Sequence, residues 1–536
     1  MFKGTINRDY LAPACKARRH SSQTAIASIE TLNHPLLESF RWEIGEHVVL
    51  ICRERCSGAN ELPVAQPDWT IEQAQDFCSA HRQWPLDYQT VYMDRHSGTV
   101  TFCAGHGGVA PLYLRVTDTR IDLSWSVADF YPHLTLSEVD VERTGLRLIG
   151  TLPYAATTMF RGVFMLTERA SLSVRSNGVV ETHYPPPAPY YIPTPLLDDA
   201  DVTDAGCRLV DTLLRRWPLT PAIMASEFSG GLDSAIVAAI LARQHPDALP
   251  TYALQIEGIA RNQKITRRAL AIKHFGFRDH ALDVDSIRMV PTAFGEDGDY
   301  VAAPYNADLQ RPLQPLLKTL ATPRAVATGT GGDELLMAHA FEQDREQLAR
   351  NVSDAFLPAI LPSPITPALK ARLPDYAASC DRAPFPVLPI SVLEAQAARS
   401  PLFSAHGIWP ISPFAQPEAV RFYRSLPLVW RQQKRLHRQM LKLLGYPERF
   451  LDIPLRENFE SYLASSLVAA STEIARLLSR CCLLHELGLV DVDRLIAAIR
   501  EVRQNSPLAD LGFIFHAINL EHMLRRINEP QGKPSI

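Results

Sequence analysis

The pattern of apolar and polar residues changes character near residue 184. Before it, short apolar or alternating runs recur: Val48-Val49-Leu50-Ile51, Thr99-Val100-Thr101-Phe102, Leu112-Tyr113-Leu114-Arg115-Val116 and Ser171-Leu172-Ser173-Val174. Such runs predict β-structure. After it, strands alternate with long amphipathic helices. Ile223-Met224-Ala225-Ser226-Glu227-Phe228 reads as a buried strand end. Ala235 to Leu241 is a strong helix former that stops near His245-Pro246. Ala325-Val326-Ala327, a glycine cluster and Leu335-Leu336-Met337 repeat the order strand, turn, helix. Late in the chain, Ser506-Pro507 reads as a helix start, with serine as cap and proline in the first turn. Leu511, Ile514, Phe515 and Ile518 then form a core-packing stripe. Tyr184-Pro185-Pro186-Pro187-Ala188-Pro189 reads as a stiff, extended linker. The predicted organisation is a first domain over 1–184, a Pro-rich linker over 185–198 and a second domain over 199–536. No internal repeat is visible.

The two glycine turns carry the candidate chemistry. Ser229-Gly230-Gly231-Leu232-Asp233-Ser234 lies between an apolar strand and an apolar helix. A glycine turn there lets backbone amides face an anion at the positive end of the helix. Ser229 and Ser234 add hydroxyl donors, and Asp233 can hold magnesium against a pyrophosphate. The Gly-Lys-Ser/Thr ending of a Walker loop is missing, which argues against a kinase-like or GTPase-like site. The second turn is Thr328-Gly329-Thr330-Gly331-Gly332-Asp333-Glu334. On adjacent strands of a parallel sheet, the two turns would face each other at the carboxyl ends, where ligands bind. Asp233 and Asp333 would then share one magnesium ion. Either turn alone is readable as a ligand-free bend; both in this order argue against that.

Composition narrows the class. The chain has 536 residues, 46% hydrophobic and 21% charged, with a net charge of −4. That is ordinary for a globular protein of about two to four domains, and nothing in the balance points to nucleic acid. The basic cluster from Arg431 to Arg438 is short and reads as a solvated helix face. No apolar run reaches the ~18 residues of a membrane helix, and Met1-Phe2-Lys3-Gly4 is not a signal-peptide pattern. The nine cysteines show no Cys-x-x-Cys pair, so reduced thiols in a cytoplasmic protein are expected.

The first turn resembles the PP-loop of ATP pyrophosphatases, which split ATP between the α and β phosphates. The two-turn pattern resembles the synthetase domain of asparagine synthetases. The resemblance extends to Thr251-Tyr252-Ala253-Leu254-Gln255-Ile256, a strand whose backbone would contact adenine at Leu254. It extends also to the helix end Arg268 to Phe277, to Gly407-Ile408-Trp409-Pro410-Ile411-Ser412-Pro413-Phe414, and to Lys434 and Arg438 on a basic helix. It implies an α/β two-domain fold, with a PP-loop doubly wound parallel sheet and added helices in the C-terminal part. It also implies ATP and Mg2+ as cofactors. Ser229, Gly230, Gly231, Leu232, Asp233, Ser234, Leu254, Gly329, Gly331 and Gly332 would bind the nucleotide, and Asp233 and Asp333 the metal. Lys434 and Arg456 are candidates for charge stabilisation; Arg456, before Asn458 and Phe459, stands where the family carries a lysine.

In the N-terminal part, Gly108-Val109-Ala110-Pro111-Leu112-Tyr113 and Ser124-Trp125-Ser126-Val127-Ala128-Asp129 resemble turns of the same family's glutaminase domain. They imply a degenerate, Ntn-glutaminase-like sandwich of sheets. Its chemistry is missing: position 2 is Phe2, the first cysteine is Cys15, and Ala104-Gly105 replaces the family's Arg-Asp. An adenylating enzyme without its own ammonia source needs another nucleophile, and an amine tethered to the acyl group supplies about 7–11 kcal/mol of the barrier. Thr330 occupies the position of the tyrosine of β-lactam synthetases, and a threonine is a poor general base. The pattern therefore resembles lasso peptide macrolactam synthetases. That resemblance implies a leader-cleaved precursor peptide as substrate, a leader peptidase as partner and a catalytic set of Asp233, Asp333, Thr330, Lys434 and Arg456. Two alternatives stand beside it. One is a small-molecule amidoligase of asparagine synthetase or β-lactam synthetase type; the other is a catalytically dead, peptide-binding scaffold. The stretch from Ala340 to Pro401, rich in Pro and Ala, is left open as a lid.

Overall fold

A computed structural model of the chain describes residues 1–11, 27–58, 70–245, 249–256, 258, 260–284, 289–290, 310–320, 324–343, 361–451, 455, 460–503 and 506–528. Two architectures follow one another along it. The first comprises β1 (Phe2–Asn7), β2 (Ala27–Thr31), β3 (Leu37–Ile44), β4 (His47–Glu54), β5 (Tyr88–Asp94), β6 (Thr99–Ala104), β7 (Leu112–Val116), β8 (Arg120–Ser124), β9 (Val163–Leu166), β10 (Ser171–Arg175) and β11 (Val180–His183). These form two antiparallel sheets, ordered β2-β1-β8-β7-β9 and β11-β10-β6-β5-β4-β3. Alternation decides which side chains meet: Phe2, Ile6, Leu114 and Leu123 of one sheet share a core with Leu50, Val91 and Phe102 of the other. The unbroken apolar run in β4 has a reason. Val48, Leu50 and Cys52 face that core. Val49 and Ile51 face Trp42 and Phe77, under the helix Ile71–Ala80. A strand covered on both faces cannot alternate.

The second architecture is a parallel sheet of β12 (Met224–Glu227), β13 (Pro250–Gln255), β14 (Arg278–Asp283), β15 (Ala325–Ala327) and β16 (Trp409–Ile411). Its order is β14-β13-β12-β15-β16. The chain runs outward from β12 to β14, then returns to lay β15 and β16 on the other side of β12. The order therefore reverses between β12 and β15, where open parallel sheets bind ligands. Ala225 and Val326 pack under Leu313, Leu316, Leu317 and Phe403, from the helices Gln310–Thr319 and Ile390–Ala405. The opposite face carries the helix Leu232–Gln244, buried at each residue from Leu232 to Leu241. The protein is thus a two-domain α/β structure, antiparallel first and parallel second.

Between His183 and the helix Val202–Leu214 the chain forms no regular element. It is nonetheless fastened to the second domain. The Tyr184 hydroxyl donates to Asp381 at 2.7 Å, the Ala188 amide to the Phe385 carbonyl at 2.8 Å, and the Thr194 amide to the Ser425 carbonyl at 2.9 Å. The proline-rich stretch runs as an irregular strap along the second domain. The described part of the 340–401 stretch includes two helices, Pro367–Ser379 and Ile390–Ala405. Both wedge against the first domain: a Cβ on Gly145 would sit 3.0 Å from Leu369, and one on Gly108 would sit 2.7 Å from Leu393. In the C-terminal helix, Leu508–Asn528, the expected stripe of Leu511, Ile514, Phe515 and Ile518 is buried. Ser506 does not serve as its cap; its hydroxyl accepts from the Arg503 amide at 2.9 Å. Among the described residues no helix is long and apolar enough to cross a membrane.

The basic cluster 431–438 is not a solvated face. Arg431 is 1% exposed. Its guanidinium donates to both Glu342 oxygens, at 2.5 and 2.6 Å, and to the carbonyls of Met337 and Leu426. Every donor it turns inward finds an acceptor, which is what makes a buried arginine tolerable. Arg435, lying exposed over the Trp430 ring, fits the surface reading, as do Gln432 and Gln433. Arg431→Ala should therefore cost about 3–5 kcal/mol in urea unfolding, because it strands Glu342. Arg435→Ala should stay within about 0.5 kcal/mol.

Candidate nucleotide site

Strand β12 delivers the first turn and β15 the second, side by side at the carboxyl edge of the sheet. Gly230 takes a φ of +85° to bend the chain from strand to helix. The turn is closed by its own hydroxyls. Ser229 Oγ accepts from the Gly231 amide at 3.2 Å, and Ser234 Oγ lies 3.2 Å from Ser229 Oγ and accepts from the Ser229 amide at 3.3 Å. Leu232 opens the following helix and is buried beneath the turn. Leu254 lies at the end of β13, beyond the Glu227–Tyr252 pairing that closes the β12–β13 ladder, and so beside the first turn.

The second turn is glycine-rich chiefly because it must touch the first. A Cβ on Gly329 would lie 2.6 Å from the Ser234 nitrogen, and one on Gly332 would lie 2.7 Å from Asp233 Cγ. Gly331 has a φ of +96° and abuts the Phe414 backbone. The helix after this turn is a single turn, Gly332–Leu335, shorter than its apolar sequence predicts. Thr330 Oγ1 accepts from Thr328 Oγ1 at 3.0 Å, and Thr328 Oγ1 lies 2.8 Å from Ser412 Oγ. The Thr330 hydroxyl is thus built into the turn.

Close packing of the turns brings Asp233 and Asp333 to one cation. Lys434 Nζ lies 2.9 Å from Asp233 Oδ2 and also pairs with Asp333 Oδ1. Its sequence context predicts a regular helix, but Lys434 ends the short 3-10 turn Gln432–Lys434 and precedes the α-helix. It stands in the left-handed region, φ +54°, at the kink before the helix Arg435–Leu443, and that kink turns its side chain toward the carboxylates. His437, one turn further on, puts Nδ1 2.6 Å from Asp233 Oδ1, and its Nε2 lies 3.0 Å from the Tyr423 hydroxyl. Both rings are fully buried. The sequence reading missed His437 and Tyr423. For His437 there was one signal, its three-residue spacing from Lys434, which in a continuous helix would put those two on one face; for Tyr423 there was none. Arg438 turns elsewhere, donating to the carbonyls of Gln433 and Leu451. Arg456, Asn458, Phe459 and Cys15 lie outside the described residues.

The electrostatics follow from this frame. Burial works to raise the Asp233 pKa, but the His437 hydrogen bond and the Lys434 charge outweigh it and hold the group at about 2. Burial likewise works against the Lys434 ammonium, and the charges of Asp233 and Asp333 reverse that, raising its pKa. Asp233 is fixed by two partners, whereas the Asp333 side chain is 71% exposed and free to turn toward a ligand. Glu334, its neighbour, is pushed up by burial and accepts from Ser391 at 3.1 Å. Among the described residues no three or more His, Cys, Asp or Glu side chains gather as a metal site. Two carboxylates converging on one cation still fit magnesium, which takes one or two carboxylates and completes its shell with water and substrate phosphate.

A family profile described as asparagine synthase matches residues 222–383. The chain carries an asparagine-synthase-like, ATP-dependent amidoligase domain. The matched span holds both turns and β12 to β15; Lys434 and His437 lie beyond it. No curated protein matches the chain. Among solved structures, the U34-tRNA thiolase NcsA from Methanococcus maripaludis with its 4Fe-4S cluster is similar at 13% identity, over 62% of this chain and 81% of that one, with a TM-score of 0.24. That likeness is too slight to bear on fold or function.

An Asp233 pKa held near 2, against an ordinary value of 3.8, stabilises the fold above pH 4. The contribution is lost as the pH falls through about 2. In urea titrations between pH 5 and pH 1, wild type should lose about 2 kcal/mol that Asp233→Asn does not lose.

Proposed function

We propose that the protein activates a carboxylate with ATP and passes the acyl group to an amine. The observation that carries this is the convergence of Asp233 and Asp333 on Lys434, between two glycine turns at the point where the strand order reverses. ATP would lie across the turns, with its phosphates toward Ser229, Gly230, Gly231 and Ser234 and the adenine along β13 near Leu254. Asp233 and Asp333 would hold magnesium, which supplies charge neutralisation for the phosphates. Lys434 then serves as the point charge that follows negative charge from the carboxylate pair to the α-phosphate region. A substrate carboxylate attacks the α-phosphorus, the bond to the β-phosphate oxygen breaks, and pyrophosphate leaves with its electron pair. The neutral amine then attacks the acyl carbon, the carbon–oxygen bond to AMP breaks, AMP departs with that electron pair, and the proton from nitrogen passes to solvent. His437 keeps Asp233 aligned throughout without touching the substrate.

The first domain reads as a degenerate, glutaminase-like sandwich that supplies no ammonia. Strand β1 carries Phe2, buried in the core, where an N-terminal nucleophile would require a thiol. Cys52, buried in the same core, has its thiol pushed up to about 11 by burial, which makes it unreactive at neutral pH. The amine therefore arrives free or already attached to the substrate. An amidoligase of asparagine synthetase type acting on a small carboxylate with free ammonia is the reading that the amidoligase domain supports most directly.

One observation favours a second reading. The Thr330 hydroxyl accepts from Thr328, and an alcohol is a poor base toward an amine. An α-amine with a pKa of about 7.7–8.0 needs little help. A leader-cleaved peptide whose N-terminus closes on its own Asp or Glu side chain, as in lasso peptide macrolactam synthetases, would satisfy that condition. A leader peptidase would then supply the substrate.

The test is product analysis with ATP and magnesium. AMP with pyrophosphate, dependent on aspartate or glutamate plus ammonium, supports the small-molecule reading. AMP formed only with acidic peptides, with loss of one water from the peptide, supports the macrolactam. ADP with phosphate, or no hydrolysis with any carboxylate, contradicts both. Lys434→Met should lower AMP formation about 100-fold or more in either case.

A further inference from the structure

A domain without ammonia-releasing chemistry is still held to the synthetase sheet by buried polar contacts. Glu54, at the end of β4, is completely buried. Its carboxylate receives three N–H groups: Oε2 from the Asp87 backbone at 2.8 Å, and Oε1 from the indoles of Trp217 at 3.1 Å and Trp409 at 2.6 Å. The first donor belongs to the N-terminal sheets and the two indoles to the synthetase part. Burial and the nearby Asp87 charge push the Glu54 pKa to about 7, against the pull of these three donors. No donor of the set is dispensable, because a buried acceptor left half-satisfied is costly.

What Glu54 grips is informative. Trp409 opens β16, which pairs with β15, and its own amide donates to the Arg324 carbonyl at 3.0 Å. From β16 the ties lead into the second turn. The Thr328 amide donates to the Ile411 carbonyl at 2.8 Å, Ser412 Oγ lies 2.8 Å from Thr328 Oγ1, and Gly331 abuts Phe414. A second contact reaches the same place independently. His34, between β2 and β3, sets Nε2 2.5 Å from the Arg324 carbonyl, just before β15, and its ring lies beside Trp409 at 6.0 Å. The N-terminal domain thus fixes both strands from which the second turn hangs.

We propose that the N-terminal domain buttresses the second glycine turn, with Glu54 as a positioning residue that sets Trp409, β16 and through them the Thr328–Asp333 segment. The inference rests on the proposed function only for its activity readout; its structural readout does not depend on it. Glu54→Gln keeps the shape but turns an NH2 toward the Asp87 amide or the indoles. Trp409→Phe keeps the ring and removes only its N–H.

The test uses the full-length protein and amide hydrogen exchange of peptides covering residues 325–336, with those of β10 and β11, which touch none of these residues, as internal controls. In both variants, exchange at 328–333 should rise about fivefold or more while the controls stay unchanged. The kcat for AMP release should fall about tenfold, with the KM for ATP changed less than about twofold. Unchanged exchange at 328–333 in a folded variant overturns the proposal. If Glu54→Gln fails to fold, Trp409→Phe alone decides by the same criterion. Raised exchange in variants of a protein whose wild type releases no AMP means that the proposed function has failed and the buttress stands.

Discussion

Two carboxylates brought close together repel each other unless a positive charge stands between them or one of them takes up a proton. Asp233 and Asp333 are brought together by turns that pack through Gly329 and Gly332, and Lys434 supplies the charge. The rest of the site answers to that constraint. The left-handed kink at Lys434 delivers the ammonium, and His437 takes the Asp233 oxygen that Lys434 leaves free. Tyr423 occupies the far nitrogen of His437. A magnesium ion would relieve the same repulsion, so the lysine and the metal compete for one role. Asp333, with the more exposed side chain, is the partner able to change allegiance.

Much of this was legible in the sequence because it is local. A strand, a glycine turn and a helix follow one another within about a dozen residues, and both turns announce themselves in that way. The parallel order β12 beside β15 was an inference from the turns, and the strand pairing places them so. The alternating runs of the first domain predicted strands, and β4, β6, β7 and β10 contain them. What escaped is non-local. Arg431 looks like a surface arginine until Glu342, far back in the chain, closes over it. Lys434 reads as helical because a positive φ at a lysine has no sequence mark. His437 looks like a core residue because Asp233 lies 204 positions away.

The two domains were readable as separate patterns but not as a joint. Nothing in the neighbourhood of Glu54 in the sequence points to Trp217 or Trp409, since one indole comes from the bend after the helix Val202–Leu214 and the other from β16. Their meeting on one buried carboxylate ties the first domain to the part that carries the parallel sheet. The proline-rich strap and the helix Ile390–Ala405 add to the same interface, so the first domain is held from several sides.

The central claim is that the two turns form one ATP site in which Lys434 stands in for magnesium. A crystal structure with magnesium and the non-cleavable analogue α,β-methylene-ATP tests it most directly. The account predicts the α-phosphate against the Ser229–Ser234 turn, metal between Asp233 and Asp333, and Lys434 swung away from the pair toward the α-phosphate. A nucleotide bound elsewhere, or one bound across the turns with Lys434 still bridging both aspartates and no metal between them, would contradict it.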